Sequence, residues 1–157
     1  MDDIKFVVKG NNYYYKSKRR PPTTDYRLQM RTVKLLLKYI LAIGFVLAGI
    51  NHFVNTPFYQ RMMPPYFPAH TFFIYLSGVL EIALGILLLV PKYTRRAAFG
   101  MIALLVAVYP ANFYMAQNPE LFSEFRPWMI RLRLPLQFII IAWAHWYTRP
   151  ETKDDRT

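Results

Sequence analysis

Apolar and charged residues alternate in long blocks along this chain rather than residue by residue. Residues 1–32 are polar and basic, and four apolar stretches follow at residues 33–52, 71–90, 97–115 and 129–147. The first has 20 residues, which as a helix at about 1.5 Å per residue reaches about 30 Å, the thickness of a bilayer's hydrocarbon core. Lys34 and Lys38 sit in its opening turns, where their stems can carry the charge to the headgroups. The second stretch holds one charged residue, Glu81, and the third contains Pro110. The uncharged part of the fourth is short, so a full span must start near Met129, with Arg131 and Arg133 at the interface. The pattern predicts an all-α membrane protein, a four-transmembrane-helix bundle.

The flanks give this bundle an orientation. Ten Lys and Arg lie in the head and the start of the first span, three in the loop at 91–96 and three in the tail at 149–157, whereas the opposite side holds Arg61, Arg126, Arg131 and Arg133. The positive-inside rule then puts both termini in the cytoplasm, as an even number of spans requires. Domain organisation follows: a cytoplasmic basic head (1–32), a transmembrane domain (33–148) and a cytoplasmic tail (149–157). Within the head, β-prone runs at 4–8 and 13–16 flank Gly10, Asn11 and Asn12, so it is either a hairpin or a disordered arm. On the outer side, TPFYQRMMPPYFP (56–68) and PELFSEFRPW (119–128) are apolar and aromatic, and they predict short interfacial helices lying over the bundle's end.

Composition sharpens rather than changes this reading. The 157 residues suit one compact unit, and 54% apolar content with a net charge of +11 is reconciled by segregation into spans and flanks. The basic charge is therefore directed at anionic lipid, not nucleic acid. No cysteine is present, which excludes disulfides, thiolate nucleophiles and iron–sulfur ligation. The first thirty residues carry charge throughout with no apolar core of a signal peptide, so insertion is expected to use the first span.

Glu81 lies about ten residues into the second span, near the bilayer centre, where a lone carboxylate costs at least about 3 kcal/mol. It must face the interior and either hold a proton or meet a cation. Ser77 is one turn away, and Gly78 and Gly85 offer small surfaces for a neighbouring helix. Other polar residues collect in the outer half of the spans: Asn51, His52, Tyr109, Asn112, Arg133 and Gln137. The expectation is a buried network of Glu81 with Arg133, supported by Gln137, Asn112 and His52. It either fixes helix register or lines a ligand or proton site. Pro110 and Pro135 each remove one helix hydrogen bond and favour kinks beside these groups. No metal site is expected, because His52, His70 and His145 share no helix at ligand spacing, and no phosphate loop, nucleophile elbow or paired-carboxylate motif is visible.

Five blocks together resemble the DoxX family of small bacterial membrane proteins: AGINHF (48–53), MPPYFP (63–68), SGVLEIALGILLL (77–89), YPANFYMA (109–116) and RLPLQ (133–137) followed by Trp143. The resemblance covers residues 33–148. It implies a four-helix bundle in the bacterial inner membrane, with Glu81, Asn112, Arg133 and Gln137 at the family's polar positions. It also implies association with quinone-linked oxidoreductases. On that basis the expected function is an accessory subunit of a membrane oxidoreductase or other membrane complex, contacted in part through the basic head. The alternatives are a quinone- or lipid-binding oxidoreductase using the Glu81 and Arg133 site, and an assembly factor for membrane proteins. No cofactor is expected beyond a bound quinone or lipid, and enzyme activity is not implied by any motif.

Overall fold

The computed structural model describes residues 5–9, 12–16 and 22–149. The chain divides into two compact units, Met1–Leu35 and Leu36–Thr157. In the first, β1 (Lys5–Lys9) pairs antiparallel with β2 (Asn12–Lys16), in a register that sets Phe6 opposite Tyr15 and Val7 opposite Tyr14. Aromatic and β-branched residues favour such a pleated pair. Helix α1 (Pro22–Val54) begins eleven residues before the expected span. Pro22 stands at its start, where a missing N–H costs nothing, and the polar run TTDYRLQMRT after it contains no glycine or proline to end a helix. The expectation that all of 1–32 is hairpin or disordered arm is thereby corrected for residues 22–32. The expected tail lies outside the described residues except for Arg149.

Among the described residues the second unit contains the rest of α1 and four further helices: α2 (Thr56–Met62), α3 (His70–Leu89), α4 (Thr94–Gln117) and α5 (Pro127–Trp146), with a 3₁₀ turn at Pro119–Phe122. Its core has two parts. Leu41, Ala42, Phe45, Leu88, Ala97, Ala98, Met101, Ala144 and Tyr147 form one cluster. Phe58, Met62, Met115, Phe122 and Ile130 form the other, which joins α2 and the 3₁₀ turn to the ends of α4 and α5. The segments 56–68 and 119–128 thus contain α2 and the 3₁₀ turn, and they are held to each other: Arg61 hydrogen-bonds the carbonyl of Leu121 at 3.0 Å and pairs with Glu124.

Helices α1 and α3 approach closely because small residues meet at the crossing. A Cβ placed on Gly49 would lie 2.6 Å from the Gly78 carbonyl oxygen, and one on Gly85 would lie 2.8 Å from that of Ala42. Any side chain there would push the backbones apart. At the other end of α1, Lys38 Nζ donates to Thr94 Oγ1 at 2.8 Å, and Thr94 Oγ1 donates to the Leu88 carbonyl at 2.9 Å, which ties α1 to the α3–α4 turn.

Among the described residues three helices, Tyr26–Val54, His70–Leu89 and Thr94–Gln117, are long and apolar enough to cross a membrane. Only 22% of the apolar window of each is buried within the protein, so most of it faces outward. Leu36, Leu47, Val106, Phe138 and Ile139 are all more than half exposed. An apolar exterior of this extent requires lipid or another apolar partner. The sequence pattern predicts a fourth span, but α5, although 20 residues long, carries Arg131, Arg133, Gln137 and His145 and falls short of that composition.

Candidate functional site

A cavity of about 680 Å³ lies among α1, α3, α4 and α5 beneath α2. Its lining includes Ala48 and His52 on α1 and Ser77 and Glu81 on α3, and on α4 (Leu104 to Asn112) and α5 (Arg133 to Ile140) it falls between the residues of the two core clusters. The wall is mainly apolar, with leucines 76, 80, 104, 105 and 136 among its residues. This size and character are those of small-molecule sites, which occupy about 300–1,000 Å³.

The polar groups form three separate sets on this wall. In the first, His52 stands at the α1–α3 crossing that Gly49 and Gly78 make possible. Its Nε2 lies 3.5 Å from Glu81 Oε2, and its Nδ1 lies 3.3 Å from Ser77 Oγ. The ring stacks on Tyr59 at 3.8 Å between centroids, and Asn51 donates to the Tyr59 hydroxyl at 3.0 Å. Burial raises the Tyr59 phenol above its ordinary pKa, partly offset by the Asn51 hydrogen bond. The histidine is thus fixed by a hydroxyl, a carboxylate and a ring, while Glu81 Oε2 is buried without a hydrogen-bond partner among the described residues.

The second set bridges α4 and α5. Asn112 Nδ2 donates to Gln137 Oε1 at 3.1 Å, and Gln137 Nε2 donates to the carbonyl of Leu105. That carbonyl is the neighbour of the Val106 carbonyl, whose helix donor Pro110 removes. Gln137 is only 4% exposed, and each end of its amide has a partner, as a buried amide requires.

The third set is Arg133 alone. Its Nη1 approaches Met62 Sδ at 3.8 Å and Met115 Sδ at 3.7 Å, and its guanidinium lies 5.4 Å from the centre of the Phe58 ring. Among the described residues no carboxylate comes within ion-pair distance of it.

The expected network is therefore corrected in its pairing. Glu81 meets His52, not Arg133, because the α1–α3 crossing puts the imidazole within reach of the carboxylate while Arg133 extends toward α2. His52, Ser77, Glu81, Asn112, Arg133 and Gln137 nonetheless all line the one cavity. Tyr109 does not: it stacks on Phe113 at 6.0 Å and packs against Phe138 at 5.9 Å, on another face of α4. Phe58, Tyr59, Met62 and Met115 also belong to the site, although the sequence does not single them out. The first three belong to the recognisably aromatic segment 56–68, but nothing in its pattern says which of its rings and thioethers turn inward.

A family model described as "Domain of unknown function (DUF8561)" matches residues 41–148, which include the cavity's entire lining, and the chain belongs to that family. No curated protein matches the chain, and no solved structure does.

Proposed function

We propose that this chain is a four-span membrane protein that binds an amphipathic small molecule, of quinone or lipid type, in the cavity beneath α2. The observation that carries the reading is the cavity itself: an apolar chamber of about 680 Å³ whose charged residues are Glu81 and Arg133. Glu81 Oε2 lacks a hydrogen-bond donor, and Arg133 lacks a carboxylate. Polar groups left without hydrogen-bond partners on an apolar wall are costly, fully so for the buried Glu81 oxygen and in part for the half-buried Arg133, and a ligand that meets them recovers that cost. A fixing element that served only helix register would be expected to satisfy its own members, as Asn112 and Gln137 do.

In this reading α5 is the fourth span, with Arg131 at the outer headgroups and Arg133 turned along its own stem into the bundle. Both termini lie in the cytoplasm, in line with the sixteen Lys and Arg assigned to that side. The bacterial inner membrane and kinship with the DoxX proteins belong to the same proposal. So does the role of accessory subunit in a membrane oxidoreductase, in which this chain holds the amphiphile and a partner carries the redox centres.

The test is purification in a mild detergent, followed by organic extraction and mass spectrometry of what is released. An amphiphile near one per chain supports the reading, and protein that carries none overturns it.

A further inference from the structure

We infer that the cavity's occupant is an amphiphile with an anionic head, a carboxylate or a phosphate, seated on the Arg133 guanidinium with its chain along the leucine-lined wall. This inference rests on the binding function proposed above and narrows its ligand class.

The cavity's two charged residues are not equivalent. Glu81 has His52 3.5 Å away, a neighbour able to carry a positive charge, so that set can be neutral without a ligand. Arg133 has nothing comparable. A guanidinium carries five N–H donors, and the acceptors near this one are two thioether sulfurs, both on Nη1. Sulfur is a weak acceptor and brings no negative charge. Phe58 offers a ring, which attracts a cation without using its in-plane donors. Among the described residues, Nε and Nη2 have no acceptor. The arginine is therefore held by soft, apolar neighbours, and its donor edge has no protein acceptor among the described residues although the residue lines the cavity.

That edge defines the chemistry of the head. A guanidinium fork matches two oxygens of one planar or tetrahedral anion, with charge-assisted bonds about twice as strong as neutral ones. A neutral carbonyl or hydroxyl supplies one oxygen and no compensating charge. The leucines beyond, together with Ile140, require an apolar body and give a free inorganic anion nothing to gain.

The experiment uses delipidated full-length protein in a non-ionic detergent, titrated calorimetrically with hexadecanoate, hexadecyl phosphate, hexadecanol, a decyl-chain quinone and inorganic phosphate. The two anionic chains should bind at least about tenfold tighter than hexadecanol or the quinone, the difference a charged hydrogen bond produces. Arg133→Gln should bring the anions to within about threefold of hexadecanol, whose own affinity stays unchanged. Hexadecanol or quinone binding as tightly as the anions overturns the anionic head but leaves the cavity a binding site. Inorganic phosphate binding as tightly as hexadecyl phosphate overturns the amphiphile. No binding by any probe overturns the binding reading itself. If Arg133→Gln fails to fold, the head-group series on the wild-type chain still decides the question.

Discussion

His52 and Glu81 face each other across the α1–α3 crossing, Nε2 to Oε2 at 3.5 Å, although 29 positions separate them in the chain. The contact depends on two residues that have no side chain. Gly49 and Gly78 let the helix backbones meet, and a Cβ on Gly78 would itself lie 2.9 Å from the His52 Cβ. A carboxylate deep in an apolar span is thereby met by a group on the neighbouring helix, which is how such residues are tolerated.

Substitutions at two glycines of α1 should therefore diverge. Gly49→Ala forces a methyl to within 2.6 Å of a backbone oxygen and should destabilise by about 1–3 kcal/mol. Gly44→Ala meets nothing within 4 Å and should be neutral or stabilising by up to about 1 kcal/mol, because alanine favours helix. Thermal unfolding of both variants in the same detergent checks the contrast. Equal effects would mean that the crossing is not close-packed.

His52 and Glu81 should be energetically coupled. His52→Phe keeps a ring on Tyr59 but removes both nitrogens, leaving Ser77 and Glu81 without their neighbour. A loss of about 1–3 kcal/mol is expected. Combined with Glu81→Gln in a double-mutant cycle, the pair should show a coupling of at least about 0.5 kcal/mol. Strict additivity would show that the two groups do not sense each other.

Gln137→Leu should cost about 1–3 kcal/mol, since it leaves the Asn112 amide without its acceptor and takes the side-chain donor from the Leu105 carbonyl. Asn112→Leu with Gln137→Leu should cost less than the sum of the single changes, because removing both partners leaves fewer orphaned groups. Unfolding midpoints of the three variants give the answer.

The tie between α2 and the segment after α4 should be sensitive to acid. The hydrogen bond from Arg61 holds the Glu124 carboxyl below its ordinary pKa. A depressed carboxylate stabilises the folded form above its unfolded pKa, and that contribution is lost as pH falls through the folded value. Proteolysis within residues 119–126 should therefore accelerate as pH drops below the usual carboxylate range. Glu124→Gln should show the faster cleavage at neutral pH and lose the pH dependence. An unchanged rate in that variant would mean that the ion pair does not hold the segment.

Much of this structure was legible in the sequence, for identifiable reasons. Runs of about 20 apolar residues mark α1, α3 and α4 because only a helix satisfies its own backbone in lipid, and β-prone runs around Gly10 and Asn11 mark the strand pair. The start of α1 was not legible: Pro21 and Pro22 read as a break, yet proline also opens helices, and the polar run behind it has no span-like pattern. For the site, depth along each span was enough to gather His52, Ser77, Glu81, Asn112, Arg133 and Gln137 around one cavity. Depth says nothing about azimuth, however. Tyr109 fell on the wrong face of α4, and Arg133 was matched to Glu81 when the α1–α3 crossing gives that acid to His52. Gly49 held the missing information, as the partner of Gly78, but one glycine in an apolar helix does not announce which neighbour it meets.

If the cavity beneath α2 holds an amphiphile, a side chain that fills the cavity must displace it. Ala111 lines the cavity, whereas Ala103 on the same helix is exposed and does not. The quantity to measure is amphiphile retained per chain, by native mass spectrometry of wild type, Ala111→Trp and Ala103→Trp purified side by side. About one per chain is expected in wild type and Ala103→Trp and almost none in Ala111→Trp. Equal retention in all three would contradict it, placing any bound lipid on the outer surface of the helices instead.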